Sequence, residues 1–153
     1  SLDEYYNLSR IYNSLGAVYF FRNDFSKAVN FYEYALGYTD DLRIRSMLFI
    51  NIGEALIYTD IHDSVEYYLN KGIQTAEEIK NRSVVLSGYE YLSDFYEYTG
   101  DFKNEFLFQQ KFNVLNDSLH SGRIAEEINA LELDLHLNLK DQEYQFQRFR
   151  LIG

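Results

Sequence analysis

An all-α chain, a solenoid of helical hairpins followed by a long C-terminal helix, is what this sequence predicts. Three observations carry that expectation. Proline is absent from all 153 residues, and turn-dense sandwiches and barrels rarely do without it. A short polar turn ending in Asp and one apolar residue recurs three times, as Arg22-Asn23-Asp24-Phe25, Tyr58-Thr59-Asp60-Ile61 and Thr99-Gly100-Asp101-Phe102. Upstream of each turn, a large-x-x-apolar-small-x-x-large spacing puts four residues on one helical face.

The first helix is expected over 3–22, where Tyr12, Leu15, Gly16 and Tyr19 carry this spacing. A second follows over 24–37, where Ala28, Tyr32 and Ala35 set small against large. The small residues have a mechanical purpose, because antiparallel helices approach closely only where one of them lacks bulk. Phe49, Ile52, Gly53 and Leu56 repeat the spacing in a third helix over 41–58, and a fourth is expected over 61–80. Gly72 lies inside that fourth helix and weakens the expectation there. Tyr89, Leu92, Ser93 and Tyr96 mark a fifth helix over 82–98, and a sixth follows over 101–118. Asp24, Asp60 and Asp101 stand where a side chain accepts hydrogen bonds from the free N–H groups of the helix it opens. Gly37 and Gly100 stand where helices stop.

Beyond Asp117 the pattern changes, and Ser121-Gly122 predicts a break. Ile124, Ile128, Leu131 and Leu135 then follow at spacings of 4, 3 and 4, a coiled-coil-like seam that decays at Asn138, Gln142 and Gln145. Against this, Leu131 to Leu139 alternates apolar with polar at period two, the mark of a strand. Leu and Glu favour helix, and no β-branched residue occurs over 129–150. One long helix is the favoured reading, with a partly stranded 129–150 left open. Such a helix is apolar on more than one face. One face can fold back on the last repeat near Phe106, Phe108 and Phe112, and a second copy of the helix is the simplest partner for the other. A helix that only caps the solenoid's end is left open. Ile124, Ile128, Leu131 and Leu135 are the candidate dimer seam.

The repeated spacing resembles the tetratricopeptide repeat, W-x2-L-G-x2-Y followed by A-x3-F and a closing Pro. In the first copy Tyr12 stands for the Trp and Asp40 for the Pro; in the second, Ser64 and Tyr68 form the later pair. The third copy departs in its second helix, where Glu105 and Gln109 replace the small and aromatic residues. The copies occupy about 9–40, 46–80 and 86–117 of a repeat region over 1–118, with a connector helix over 119–153. The resemblance implies a right-handed α-α superhelix that binds a protein or peptide along the concave face of its first helices. Carried onto this chain, that face holds Arg10, Asn13, Ala17 and Phe20, then Met47, Ile50, Glu54, Ile57 and Tyr58, then Glu90, Asp94 and Glu97. A groove that begins apolar and ends acidic suits an apolar or basic peptide. The Lys, Arg and Asn set with which chaperone-docking relatives hold a carboxylate is not matched.

The order of parts is also similar to bacterial membrane-bound regulators, in which a periplasmic repeat region precedes a connector helix, a membrane span and a signalling output. That similarity implies the sensor or interaction part of a signal-transduction or transcription regulator, on the periplasmic side. The alternative is a cytoplasmic repeat scaffold or signalling-peptide receptor. Beginning at Ser1, with Met47 its only methionine, the chain reads as an excised piece of a longer protein.

Composition narrows the chemistry. Cysteine is absent, which excludes disulfides, thiolate metal sites and cysteine nucleophiles. Fourteen basic and 24 acidic side chains give a net charge of −10, and neither nucleic acid nor an anionic membrane surface is an expected partner. Glu132 and His136 share a helix face, but two ligands do not make a metal site. With no nucleophile elbow, phosphate loop or metalloprotease helix, no enzyme, metal or cofactor is expected.

Overall fold

A computed structural model describes residues 1–152, and these form six α-helices with no strand among them. They are α1 (Leu2–Phe21), α2 (Phe25–Leu36), α3 (Leu42–Ile57), α4 (Val65–Glu78), α5 (Arg82–Thr99) and α6 (Phe102–Ile152). The chain divides into two units, one running to Leu115 and the other from Asn116. The predicted all-α architecture, a helical-hairpin solenoid with a long C-terminal helix, is the one observed.

In the first unit, α1 pairs with α2, α3 with α4, and α5 with the opening turns of α6. Successive hairpins stack through α2 on α3 and α4 on α5. The small residues sit where the hairpins close. A Cβ built on Gly16 would lie 2.5 Å from the Tyr32 ring, and one built on Gly53 would lie 2.5 Å from Leu69 Cδ2. Ser93 plays this part in the third hairpin, its hydroxyl donating to the Glu105 carbonyl at 3.4 Å. Gly72 does not weaken α4. It is a notch for Ile50, whose Cδ1 would be 2.6 Å from a Cβ there and 3.1 Å from a Cβ on Gly88 of α5.

The many tyrosines and phenylalanines stitch these helices together. Tyr12 stacks on Tyr38, Tyr19 on Phe31 and Tyr96 on Phe108, with centroids 5.5, 5.2 and 5.7 Å apart. Tyr68 donates its hydroxyl to Glu33 at 3.1 Å, tying α4 to α2, and Tyr89 donates to Glu77 at 3.4 Å, tying α5 to α4. Tyr68 and Tyr89 therefore bury part of the ring and satisfy the hydroxyl.

Two of the three Asp turns cap as expected. Asp24 accepts from the Lys27 N–H at 3.3 Å and Asp101 from the Asn104 N–H at 3.2 Å. Asp60 does not open α4, which begins at Val65 behind Ser64 with no side-chain cap. Thr59 intervenes, accepting the Ile61 N–H at 3.1 Å and lengthening the turn. The α2–α3 turn, which lacks a proline, is held by Arg45, whose Nη1 donates to the Leu36 and Thr39 carbonyls at 3.1 and 2.9 Å.

From Asn116 the second unit is helical through Ile152. Ser121-Gly122 is not a break, since helix runs through both. Nor is 129–150 stranded. Two residues turn a helix by about 200°, so an alternating run deals its leucines to opposite sides. Leu131, Leu135 and Leu139 fall on one side, and Leu133 and Leu137 on the other. No residue of α6 is buried.

Candidate functional site

α1, α3 and α5 form one face of the hairpin unit, the inner face of the expected superhelix. Asn51 Nδ2 donates to Asn13 Oδ1 at 3.4 Å, which brings α1 and α3 together there. Tyr58, at the end of α3, stacks on Phe25 with centroids 4.8 Å apart and meets Phe20 edge-on at 6.0 Å. These rings form an aromatic shelf beside the first turn, with Tyr58 exposed and Phe20 and Phe25 partly buried.

Toward α5 the surface becomes acidic. Glu90, Asp94 and Glu97 are exposed on α5, while Glu54 of α3 is half-buried beside them. Burial pushes the Glu54 carboxyl above its ordinary range; a hydrogen bond from Tyr91 opposes the rise, and Glu90 and Asp94 add to it. Burial, then the Glu97 charge, pushes Asp94 up as well. Burial and Glu54 drive the Tyr91 hydroxyl strongly upward, and burial then Glu54 push Tyr32 up to about 12. None of the ion pairs among the described residues involves these four carboxylates.

The predicted groove residues thus divide. Asn13, Ala17, Met47, Glu54, Tyr58, Glu90, Asp94 and Glu97 keep exposed or half-exposed surface. Ile50 does not line the groove: it is 3% exposed, fills the notch at Gly72 and reaches Gly88 beside Ile73. Phe20 and Ile57 are partly buried against the core, so most of their surface serves packing. Arg10 lies elsewhere, in a cleft on the outer side of α1 with Asn7, Ile11, Ser14, Leu15 and Val18. That cleft has a simple origin. Ile11, Leu15 and Val18 correspond to Leu48, Ile52 and Ala55 of α3, which are fully buried. α3 packs against α2, α4 and α5.

Tyr91 is the inner-face residue that sequence reasoning missed. Its signal was available, because it lies one residue from Glu90 and three from Asp94 in a helix of known face. Aromatic positions in this chain are so often structural that the hydroxyl drew no attention. Ile124, Ile128, Leu131 and Leu135 lie on α6 with 44–69% of their surface exposed. No group of three or more His, Cys, Asp or Glu side chains able to hold a metal occurs among the described residues. No helix among them is long and apolar enough to cross a membrane. No protein-family model matches the sequence, and no curated protein is significantly similar to it.

Proposed function

We propose that the hairpin unit is a non-catalytic binding module, resembling tetratricopeptide repeats, that holds a peptide or protein segment along the inner faces of α1, α3 and α5. The observation that carries this reading is the run of that surface from the Phe25–Tyr58 shelf to the carboxylates of Glu54, Glu90, Asp94 and Glu97, which no basic side chain pairs. An extended segment with an apolar end and a Lys or Arg end matches that gradient. A cationic side chain beside Glu54 and Asp94 would stabilise the charged carboxylates that burial disfavours.

The test uses two fluorescent peptides of equal length, one with a Leu-rich end and a Lys- and Arg-rich end, the other with Glu in place of the Lys and Arg. Anisotropy should show binding of the basic peptide and not the acidic one. Glu90→Lys with Asp94→Lys should weaken it roughly twofold to thirtyfold, from exposed pairs of about 0.2–1 kcal/mol each. The same variant should flatten the salt dependence. Equal affinity for both peptides, or unchanged affinity in the double variant, would place binding elsewhere.

A further inference from the structure

We infer that the second unit pairs with a second copy of itself, antiparallel, about a two-fold axis at Leu135. This goes beyond the groove reading and rests on none of it.

The candidate seam does not decay after Leu135; it shifts phase by one four-residue step. Continuing from Leu135 by 4, 3, 4 and 3 gives Leu139, Gln142, Phe146 and Phe149, only one of them polar. A four-residue insertion of this kind is tolerated in coiled coils, where it locally unwinds the supercoil. At 100° per residue the extended seam stays within a stripe about 80° wide. Its members are bare, Leu131 being 69% and Phe149 80% exposed.

Symmetry singles out the occupant. Counted from Ser121, the seam spacings are 3, 4, 3, 4, 4, 3, 4 and 3, which read the same in both directions about Leu135. An antiparallel copy therefore meets every seam position with a seam position. Ser121 faces Phe149, Ile124 faces Phe146 and Leu131 faces Leu139, so small or medium side chains meet equal or larger ones. The small Ser121-Gly122 step, left unexplained by an unbroken helix, gives room for the Phe149 ring.

Charge selects the same direction. Residues 120–136 carry Glu126, Glu127, Glu132 and Asp134 against Arg123, a net −3. Residues 137–152 carry Lys140, Arg148 and Arg150 against Asp141 and Glu143, a net +1. Antiparallel pairing lays the acidic half on the basic half, and the residues flanking the seam meet without like charges. Glu127 comes opposite Gln145, and Asp134 opposite Asn138. A parallel pair would instead set Glu127 against the partner's Glu132, the usual flanking pair five residues on. It would also place −3 beside −3.

The chain has no cysteine, so introduced thiols report cleanly. Ile124→Cys and Phe146→Cys are oxidised separately and as an equal mixture in the full chain, with mass followed by light scattering. The mixture should give a covalent dimer and each variant alone little or none, since like positions lie about 33 Å apart in the antiparallel pair, beyond disulfide reach. Leu135→Asp should abolish the dimer while leaving the melting of the hairpin unit unchanged. Efficient cross-linking of Ile124→Cys alone would show a parallel pair and overturn the inference. So would a monomeric unmodified chain at high micromolar concentration.

Discussion

Gly53→Ala is the sharpest probe of the hairpin packing, because two opposed effects of known size meet at one methyl group. In an open helix, alanine is favoured over glycine by about 1 kcal/mol. Here the new Cβ would lie 2.5 Å from Leu69 Cδ2 and 2.6 Å from Cγ, where carbon atoms rest at about 3.5–4.0 Å. Roughly 1 Å must therefore be absorbed between α3 and α4. Overpacking of that kind costs about 1–3 kcal/mol, so the net change should be a loss of about 0–2 kcal/mol instead of a gain. A double-mutant cycle isolates the clash. Leu69→Ala alone should cost about 2–5 kcal/mol by opening a cavity, but the same change in the Gly53→Ala background also removes the overlap. The two should then couple favourably by about 1–2 kcal/mol, a size typical of residues in contact. Urea denaturation followed by far-ultraviolet circular dichroism measures all four corners. Additivity within error, or a clear stabilisation by Gly53→Ala alone, would refute the close approach of α3 and α4.

Other outcomes follow from the same geometry. Gly100 ends α5 at φ 78° with nothing near its Cβ position; Gly100→Ala should therefore cost about 1 kcal/mol through backbone strain alone, and a loss many times larger would mean hidden packing. Glu54 and Asp94 have raised values in the folded chain, so they bind protons more tightly when folded. Their contribution is fully present below the ordinary carboxylate range and is lost as pH rises through the folded values. Glu54→Gln should flatten that part of a melting-temperature profile, and an unchanged slope would count against the burial argument.

Much of this architecture was legible because its signals are local. Gly16 and Gly53 announce close helix approach by spacing alone, and Asp24 and Asp101 announce helix starts. Asp60 misled because Thr59 competes for the same backbone, a contest that identity alone does not decide. Gly72 misled because its justification lies on another helix, in the Ile50 side chain. Ile50 was itself misplaced in the groove for the same reason. The leucine alternation over 131–139 fits two periodicities at once, and only the helical backbone shows that it builds two stripes. In the groove, the acidic residues of α5 were readable from their spacing. Glu54 joining them depends on how hairpins stack, which no single helix encodes.

Ile50 in the Gly72 notch and Ile73 in the Gly88 notch also bear on how the hairpin unit can flex. These two side chains key three helices from two hairpins, so sliding α4 against α3, or α5 against α4, would drive one of them out of its notch. No such key joins the first hairpin to the second. The first and second hairpins meet instead through rings and hydrogen bonds: Asn13 with Asn51, Tyr58 with Phe20 and Phe25, Tyr68 with Glu33, and Arg45 with the Leu36 and Thr39 carbonyls. The two junctions therefore differ in kind: one is registered by side chains seated in glycine notches, the other by rings and hydrogen bonds. Glu54, Glu90, Asp94 and Glu97 all lie on the two helices held through such notches, so the spacing of these carboxylates is set by packing and not by their own charges.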